Sequence, residues 1–162
     1  MVQIQIATDR NFSLDTLLQE YPDFNQGDFR NPAYIIQTED GKRVNRFYYD
    51  SFNIIEGKPK LEGLPSIYVN NENEAKTLCI ILKDVVMNAS IYLYYTIFAD
   101  YDVICRHTEI VNHGDKSIYL DKVMSFSMDF ADSDYDVMTL SGAHLYEKKY
   151  LSQSYKNLTL LY

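Results

Sequence analysis

The sequence contains no tryptophan, six glycines and two cysteines among its 162 residues. So few glycines leave little material for the glycine-rich loops that cradle phosphates, and two cysteines cannot form a disulfide scaffold. Basic residues are also scarce, because 15 Lys and Arg stand against 23 Asp and Glu and give a formal net charge of −8. Surfaces that bind nucleic acid or anionic membranes carry the opposite sign. We therefore expect neither nucleic acid nor a membrane as a partner.

The sequence also lacks the signals of secretion. Residues 1–7 have neither the basic stretch nor the apolar run of a signal peptide, and no apolar run reaches the ~18 residues that span a bilayer. We expect a cytoplasmic protein. Cys79 and Cys105 each lie in an apolar, β-branched run, which favours buried thiols over a disulfide or a nucleophile.

Aromatic residues, in contrast, are abundant, with 15 tyrosines and 8 phenylalanines. From residue 33 onward apolar and polar residues alternate at the period of two that predicts β-strands. The predicted strands are residues 33–38, 43–53, 77–82, 89–98, 103–111 and 117–130. The Asp40-Gly41 pair predicts that the first two form a hairpin, because both residues tolerate positive φ. The last four are joined by segments too short for parallel crossovers, so we expect antiparallel neighbours.

Helical spacing is confined to one segment near the N-terminus. After Ser13, which can cap a helix, apolar residues follow the helical period until Pro22 ends it. These residues are Leu14, Leu17, Leu18 and Tyr21. The pattern predicts about two helical turns.

The strand over residues 89–98 indicates how the sheet is covered. Ile91 and Leu93 share one face of this strand, whereas Tyr92 and Tyr94 share the other. Since both faces carry large apolar side chains, both need a covering layer. The predicted fold is an all-β, antiparallel β-sandwich with one short N-terminal helix.

The densest acidic cluster spans residues 129–136. Carboxylates at alternate positions can surround Ca²⁺. With Asp132 as the first position of an EF-hand loop, however, Val137 takes the place of the invariant Gly and Ala143 that of the bidentate Glu. The cluster fits a solvated turn better than a calcium site.

No catalytic constellation is evident from the residues alone. His107, His113 and His144 lie far apart in sequence, without the spacing of a zinc site. Cys105 and His107 would share one face of a strand, but a buried strand offers neither access nor an oxyanion donor. No pair of acidic residues is marked out as the two carboxylates of a glycosidase. These observations predict a β-sandwich without a catalytic site, metal or cofactor.

A series of longer motifs runs through the chain in a fixed order. They are DRNFSLDTLLQEYP (residues 9–22), GDFR (27–30), PAY (32–34), GKPKLEGLP (57–65), EAKTL (74–78), YDVICR (101–106) and LSGA (140–143). In their order and spacing, over about residues 9–147, they resemble the N-terminal domain of glycoside hydrolase family 36 α-galactosidases (melibiases).

This resemblance implies a large β-supersandwich domain that precedes a (β/α)8 barrel. Enzymes of the family cleave terminal α-galactosides, of the melibiose and raffinose type, with retention, using two aspartates on the barrel. Neither aspartate is in this chain. Residues 1–162 are then expected to be an incomplete N-terminal domain, inactive by itself, whose partner is the rest of an α-galactosidase chain.

The resemblance also points to one substrate contact and to an oligomer. Gly142-Ala143-His144 corresponds to the family's Gly-Ala-Trp segment, whose Trp lies at the substrate pocket. His144 is therefore the predicted substrate-binding residue, although an imidazole can donate a hydrogen bond without offering the stacking area of an indole. Family members are commonly tetramers, which implies a homo-oligomer in which this domain shapes the pocket and the subunit interfaces.

Two other functions stay open at this point. The chain could be a stand-alone carbohydrate-binding module that captures galactosides on tyrosine faces. It could also be a structural remnant that self-associates, because an incomplete sandwich exposes unpaired strand edges and an apolar face.

Overall fold

Runs of β-branched and aromatic residues form the strands of this chain. The computed structural model describes residues 17–24, 30–63, 65–130, 134–143 and 146–154. Its strands are β1 (Tyr34–Thr38), β2 (Tyr48–Glu56), β3 (Ala75–Asp84), β4 (Ala89–Phe98), β5 (Ile104–Asn112), β6 (Ile118–Val123), β7 (Asp136–Ala143) and β8 (Tyr146–Ser154). A 3-10 helix at Glu72–Glu74 precedes β3. Every strand pair is antiparallel, so the predicted all-β, antiparallel class is confirmed.

The central sheet contains four strands in the order β2-β3-β4-β5. β3 and β4 pair along their whole length and are joined by a turn in which Asn88 has a φ of 54°. The buried carboxylate of Asp84 fixes this turn. It accepts hydrogen bonds from the backbone N–H groups of Arg46 at 2.7 Å, Val86 at 2.9 Å and Met87 at 2.9 Å.

The pairing of the predicted first hairpin is wrong. A turn does form at residues 39–42, where Gly41 has a φ of 82° and its N–H donates to the Thr38 carbonyl at 2.9 Å. Beyond the turn, however, β1 pairs with β6 and β2 pairs with β3. Residues 43–47 carry the chain to the central sheet, where Asp84 binds the Arg46 N–H. The next strand therefore begins beside β3 instead of β1.

The β1-β6 sheet and the central sheet share one hydrophobic core. Its buried members are Ala33, which precedes β1, Tyr34 and Ile36 of β1, and Ile91 and Leu93 of β4. Partly buried residues pack around them, namely Tyr21, Phe47, Ile80, Leu82, Met87, Tyr95, Ile110, Ile118 and Met124. The core thus lies on one face of β3, β4 and β5.

That same face of the central sheet is covered along only part of its length. Beyond the core, Ile97 and its cross-strand partner Ile104 are exposed. Phe52, Ile54 and Leu78 on β2 and β3 are exposed on the same face. These five residues form a continuation of the core face.

No helix is present in residues 17–24, and the remainder of the predicted N-terminal helix, Ser13 and Leu14 included, lies outside the described residues. Tertiary contacts replace helical hydrogen bonds in this segment. The Tyr21 ring stacks on Tyr34 with centroids 5.5 Å apart, and its hydroxyl donates to the Met124 carbonyl at 2.6 Å. In the described part of the chain, no helix is long and apolar enough to cross a membrane.

The chain divides into two compact units, Met1–Met128 and Asp129–Tyr162. The sheets and the core described above belong to the first unit. In the second unit β7 and β8 pair with each other, with a register shift between Ser141 and Ala143. The rings of Phe130 and Tyr135 lie 4.5 Å apart in this unit.

Candidate functional site

His144, the residue predicted to contact substrate, lies outside the described residues. β7 ends at Ala143 and β8 begins at Tyr146, so the sequence places His144 between the two strands. Its role stays a prediction. Asp132, the anchor of the calcium alternative, also lies outside the described residues, and the described ones contain no group of three or more His, Cys, Asp or Glu that could hold a metal ion.

Two described aspartates have carboxyl groups that titrate below their usual range. Hydrogen bonds from Lys42, and then from Thr38, lower the pKa of Asp40 to about 2. A hydrogen bond from Ser51 lowers the pKa of Asp50. The general acid of a glycosidase needs a raised pKa, so neither carboxyl group is suited to that role.

Cys105 and His107 both lie on β5, opposite Thr96 and Tyr94 of β4. The His107 ring stacks on the Tyr94 ring at 4.2 Å and 6°, and its buried Nε2 has no hydrogen-bond partner in the described part of the chain. Burial lowers the pKa of His107, which favours the neutral ring at pH 7. Cys105 is only half-buried, so the predicted burial of its thiol is wrong, whereas Cys79 is buried as predicted. The stacking of His107 on Tyr94 fits sheet packing.

Tyr94 lies on the face of the central sheet opposite the hydrophobic core, where it contacts a row of neighbouring side chains. Its hydroxyl donates to Glu109 Oε2 at 3.0 Å, and its ring stacks on Tyr92 with centroids 6.5 Å apart. Cys79 pairs with Tyr94 across the strands, and burial raises the pKa of its thiol. A protonated, buried thiol is a weak nucleophile, so this row is a packed surface and not a reactive centre.

Arg106 is a cluster centre that sequence reasoning missed. Its side chain is only 7% exposed and pairs with Glu20 at 2.7 Å. The guanidinium also donates to the Ser127 carbonyl at 2.8 Å and lies over the rings of Tyr95, at 4.6 Å, and Phe126, at 4.9 Å. A charged residue within an apolar strand is the signal that could have revealed it. Arg106 thus holds together three separate segments of the first unit.

One open cleft of about 550 Å³ lies between the 3-10 helix and the turn after β4. Tyr68 and Tyr101 line it together with Asn70, Glu74 and Asp100. The Glu74 carboxylate is already bound within the fold. It accepts hydrogen bonds from the backbone N–H groups of Asn70 and Asn71 and from the side-chain amide of Asn71, each at 3.1 Å. The cleft therefore presents aromatic rings with one carboxylate committed to the fold.

A second open cleft, of about 780 Å³, lies at one end of the two sheets, and residues of three turns line it. Its acidic residues include Asp40 and Asp84. Lys42 and Thr38 bind the first, and three backbone N–H groups bind the second. These carboxylates stabilise turns and do not form a free acid/base pair.

The comparison with protein families decides the identity of the chain. Residues 2–157 match the model of the glycosyl hydrolase family 36 N-terminal domain. The chain belongs to this family.

Relatives of this family 36 N-terminal domain are α-galactosidases. The chain is 42% identical to α-galactosidase Mel36A of Lactobacillus acidophilus over 143 residues, which are 88% of this chain and 20% of that protein. It is 45% identical to α-galactosidase AgaA of Geobacillus stearothermophilus over 136 residues, 84% of this chain and 19% of AgaA. It matches the crystal structure of AgaA with a TM-score of 0.84 at 42% identity, covering 90% of this chain and 20% of that one. The chain thus spans about a fifth of the length of these relatives.

Several motifs that carry the family 36 resemblance have structural roles in the described residues. Gly57 opens GKPKLEGLP with a φ of 79°, and its carbonyl accepts the Thr77 hydroxyl at 2.7 Å. Glu74 opens EAKTL and caps the 3-10 helix, whereas YDVICR ends in Arg106. These motifs therefore mark packing and turn geometry.

Proposed function

We propose that this chain acts as the non-catalytic N-terminal domain of an α-galactosidase. One observation carries the proposal: the chain matches α-galactosidases along 84% to 88% of its own length but covers only 19% to 20% of theirs. Several described carboxylates accept hydrogen bonds in turns or form ion pairs, and such contacts stabilise a fold. This supports a structural role for the chain. The catalytic groups of the enzyme then belong to the remaining four-fifths.

The proposed reaction of the whole enzyme is the hydrolysis of terminal α-galactosides, with retention at the sugar. Solved structures of AgaA variants contain raffinose and stachyose, which supports galactosides of this type as substrates. In this proposal the domain assists assembly and shapes the pocket, where His144 contributes a hydrogen bond to the sugar. No cofactor is required for such a two-carboxylate mechanism.

The same proposal includes the finer features expected of the domain. The shared core of the β1-β6 sheet and the central sheet supports a β-sandwich that forms part of a larger supersandwich. A homo-oligomer, which the family resemblance implies, and a cytoplasmic location complete the proposal.

Activity of the isolated chain tests its non-catalytic role. The 162-residue chain and AgaA are assayed in parallel on p-nitrophenyl α-galactoside at equal molar concentration. We expect turnover by AgaA only. Turnover by the isolated chain at a comparable rate would overturn the proposal, because the chain would then contain its own catalytic groups.

Binding by the isolated chain separates this role from that of a stand-alone carbohydrate-binding module. Melibiose and raffinose are titrated into the chain by calorimetry, and we expect no saturable binding. Saturable binding that His144→Ala abolishes, and that the control His113→Ala retains, would instead identify a self-sufficient sugar site.

A further inference from the structure

The β7-β8 hairpin changes its register close to the end where the two strands are connected. Up to Ser141, each residue of β7 lies opposite one residue of β8, and the next pair joins Ala143 to Tyr146. Between these pairs, Gly142 of β7 lies opposite two residues of β8, Glu147-Lys148. Two residues opposite one form a β-bulge, which is called the Glu147-Lys148 bulge below.

The bulge decides how many residues connect the two strands. β7 ends at Ala143 and β8 begins at Tyr146, so only His144 and Leu145 remain between them. If the register of the earlier pairs continued, Ala143 would lie opposite Glu147 and the connection would have three residues. The bulge therefore makes His144 the first residue of a two-residue connection.

The connection itself lacks the residues that define a tight hairpin turn. Two-residue turns favour Asn-Gly, Asp-Gly or a Gly in first position, because their residues adopt positive φ. His144 and Leu145 include no Gly, Asn or Asp. The turn sequence thus does little to specify the geometry of the connection, and the bulge beside it is the local feature that does.

A β-bulge bends the strand that contains it and increases its twist, and such bulges are common next to active sites. We propose that the Glu147-Lys148 bulge positions the connection for the contact that His144 makes with the sugar. The bulge and Gly142 opposite it are positioning elements, and the contact itself belongs to His144. This inference rests on the proposed function, which supplies the galactoside and the role of His144.

The test uses a chimera in which these 162 residues replace the fifth of AgaA that they match. Deletion of Glu147 and deletion of Lys148 are made separately. Each removes the bulge and keeps the other strand pairs and the two-residue connection, but each removes a different side chain, so the two deletions control for one another. Both are also combined with His144→Ala. For every form, kcat and KM on p-nitrophenyl α-galactoside and the melting temperature are measured.

Either deletion should lower kcat/KM by about 3- to 10-fold, the factor that one hydrogen bond to an uncharged group supplies. His144→Ala alone should cause a loss of the same size. In the His144→Ala background a deletion should cost less than about twofold more, because the contact that the bulge positions is already gone. The melting temperature should stay within about 3 °C of the parent chimera, since a deletion leaves a regular ladder.

A further variant removes the bulge from the other strand, by inserting one threonine after Gly142. The inserted residue gives β7 a partner for each bulge residue, but it also moves Ala143 and Tyr146 to the opposite face of the hairpin. The loss in kcat/KM should therefore be at least as large as that of the deletions.

Three results would overturn the inference. The first is a folded deletion variant with the kcat/KM of the parent chimera. The second is a loss after only one of the two deletions, which would assign the effect to a side chain. The third is a deletion that costs as much with His144→Ala as without it. A folded parent chimera without activity would instead contradict the proposed function, and the inference would fall with it.

Discussion

The guanidinium of Arg106 lies 2.7 Å from the carboxylate of Glu20, yet the two side chains differ greatly in exposure, at 7% and 56%. The arginine is held from several sides by the Ser127 carbonyl and by the rings of Tyr95 and Phe126. The glutamate reaches it from the solvent side. The ion pair is therefore unequal, and removing each partner should have a different effect on stability.

Substitution of the buried partner should be the more damaging. We expect Arg106→Met to lower the free energy of unfolding by about 2–4 kcal/mol, because it removes the donor to the part-buried Ser127 carbonyl and both contacts with the aromatic rings. Glu20→Gln should cost less than about 1 kcal/mol, since the pair is solvent-screened on that side and the amide oxygen can still accept a hydrogen bond. Urea unfolding of both variants gives the comparison. Equal losses would contradict the view that Arg106 is held mainly by its other contacts.

Thr77 and Thr96 form a buried hydroxyl pair on the face of the central sheet opposite the hydrophobic core. Their Oγ1 atoms are 2.8 Å apart, and the Thr77 hydroxyl donates to the Gly57 carbonyl at 2.7 Å. Thr77→Val removes both bonds and should cost about 2–3 kcal/mol, whereas Thr96→Val removes one and should cost about 1 kcal/mol. Denaturant unfolding tests this order, and the reverse order would show that the Gly57 bond contributes little.

Two glycines with nearly the same φ offer a matched test of backbone and packing. Gly57 has a φ of 79° and Gly63 a φ of 86°. A Cβ at Gly57 would lie 3.2 Å from Glu72 Cα, whereas a Cβ at Gly63 would meet nothing within 4 Å. Both alanine variants bear the left-handed strain of about 1 kcal/mol. Gly57→Ala should lose about 1–3 kcal/mol more, because the backbone must also shift.

Thermal unfolding of the two variants measures that difference directly. At this chain length 1 kcal/mol corresponds to about 2–4 °C in melting temperature. Equal melting temperatures for Gly57→Ala and Gly63→Ala would mean that the segment around Glu72 yields without cost.

The lowered pKa of His107 predicts that the stability of the chain depends on pH. Burial lowers its pKa, and Lys58 acts in the same direction while Glu109 opposes it. From about pH 6.5 down to the lowered pKa of the folded state, the unfolded chain therefore binds more protons than the folded chain, and the free energy of unfolding should fall as the pH drops through this range. His107→Phe keeps an aromatic ring against Tyr94 but cannot titrate. Its melting temperature should fall less between pH 8 and pH 5.5 than that of the parent, and an unchanged slope would exclude His107 as the cause.

Local sequence patterns predicted the first six strands, several with shifted bounds, but they missed β7 and β8 and the partners of β1 and β2. Ile91 and Leu93 are buried on one face of β4, as alternation indicated. Ile97 has the same parity and is exposed, because the covering sheet extends over only part of the face. The Asp40-Gly41 turn formed without its hairpin, since a turn signal does not specify which strand the chain pairs with next.

The functional features depended on other kinds of information. His144 was singled out by resemblance to a family motif, and no local pattern marks it. The Arg106 cluster brings together residues more than 80 positions apart, such as Glu20 and Arg106, and only the tertiary fold shows that they meet. The segment before Pro22 has helical spacing, but Tyr21 and Glu20 are used in long-range contacts instead.

The central claim is that this chain serves as the N-terminal domain of an α-galactosidase. It is tested most directly by the activity of a chimera in which these 162 residues replace the fifth of AgaA that they match. The measurement is kcat/KM on p-nitrophenyl α-galactoside, with AgaA and the isolated chain as references. We predict a value within about tenfold of that of AgaA, since the catalytic part is unchanged and only its supporting domain is replaced. A folded chimera with no more activity than the isolated chain would contradict the claim.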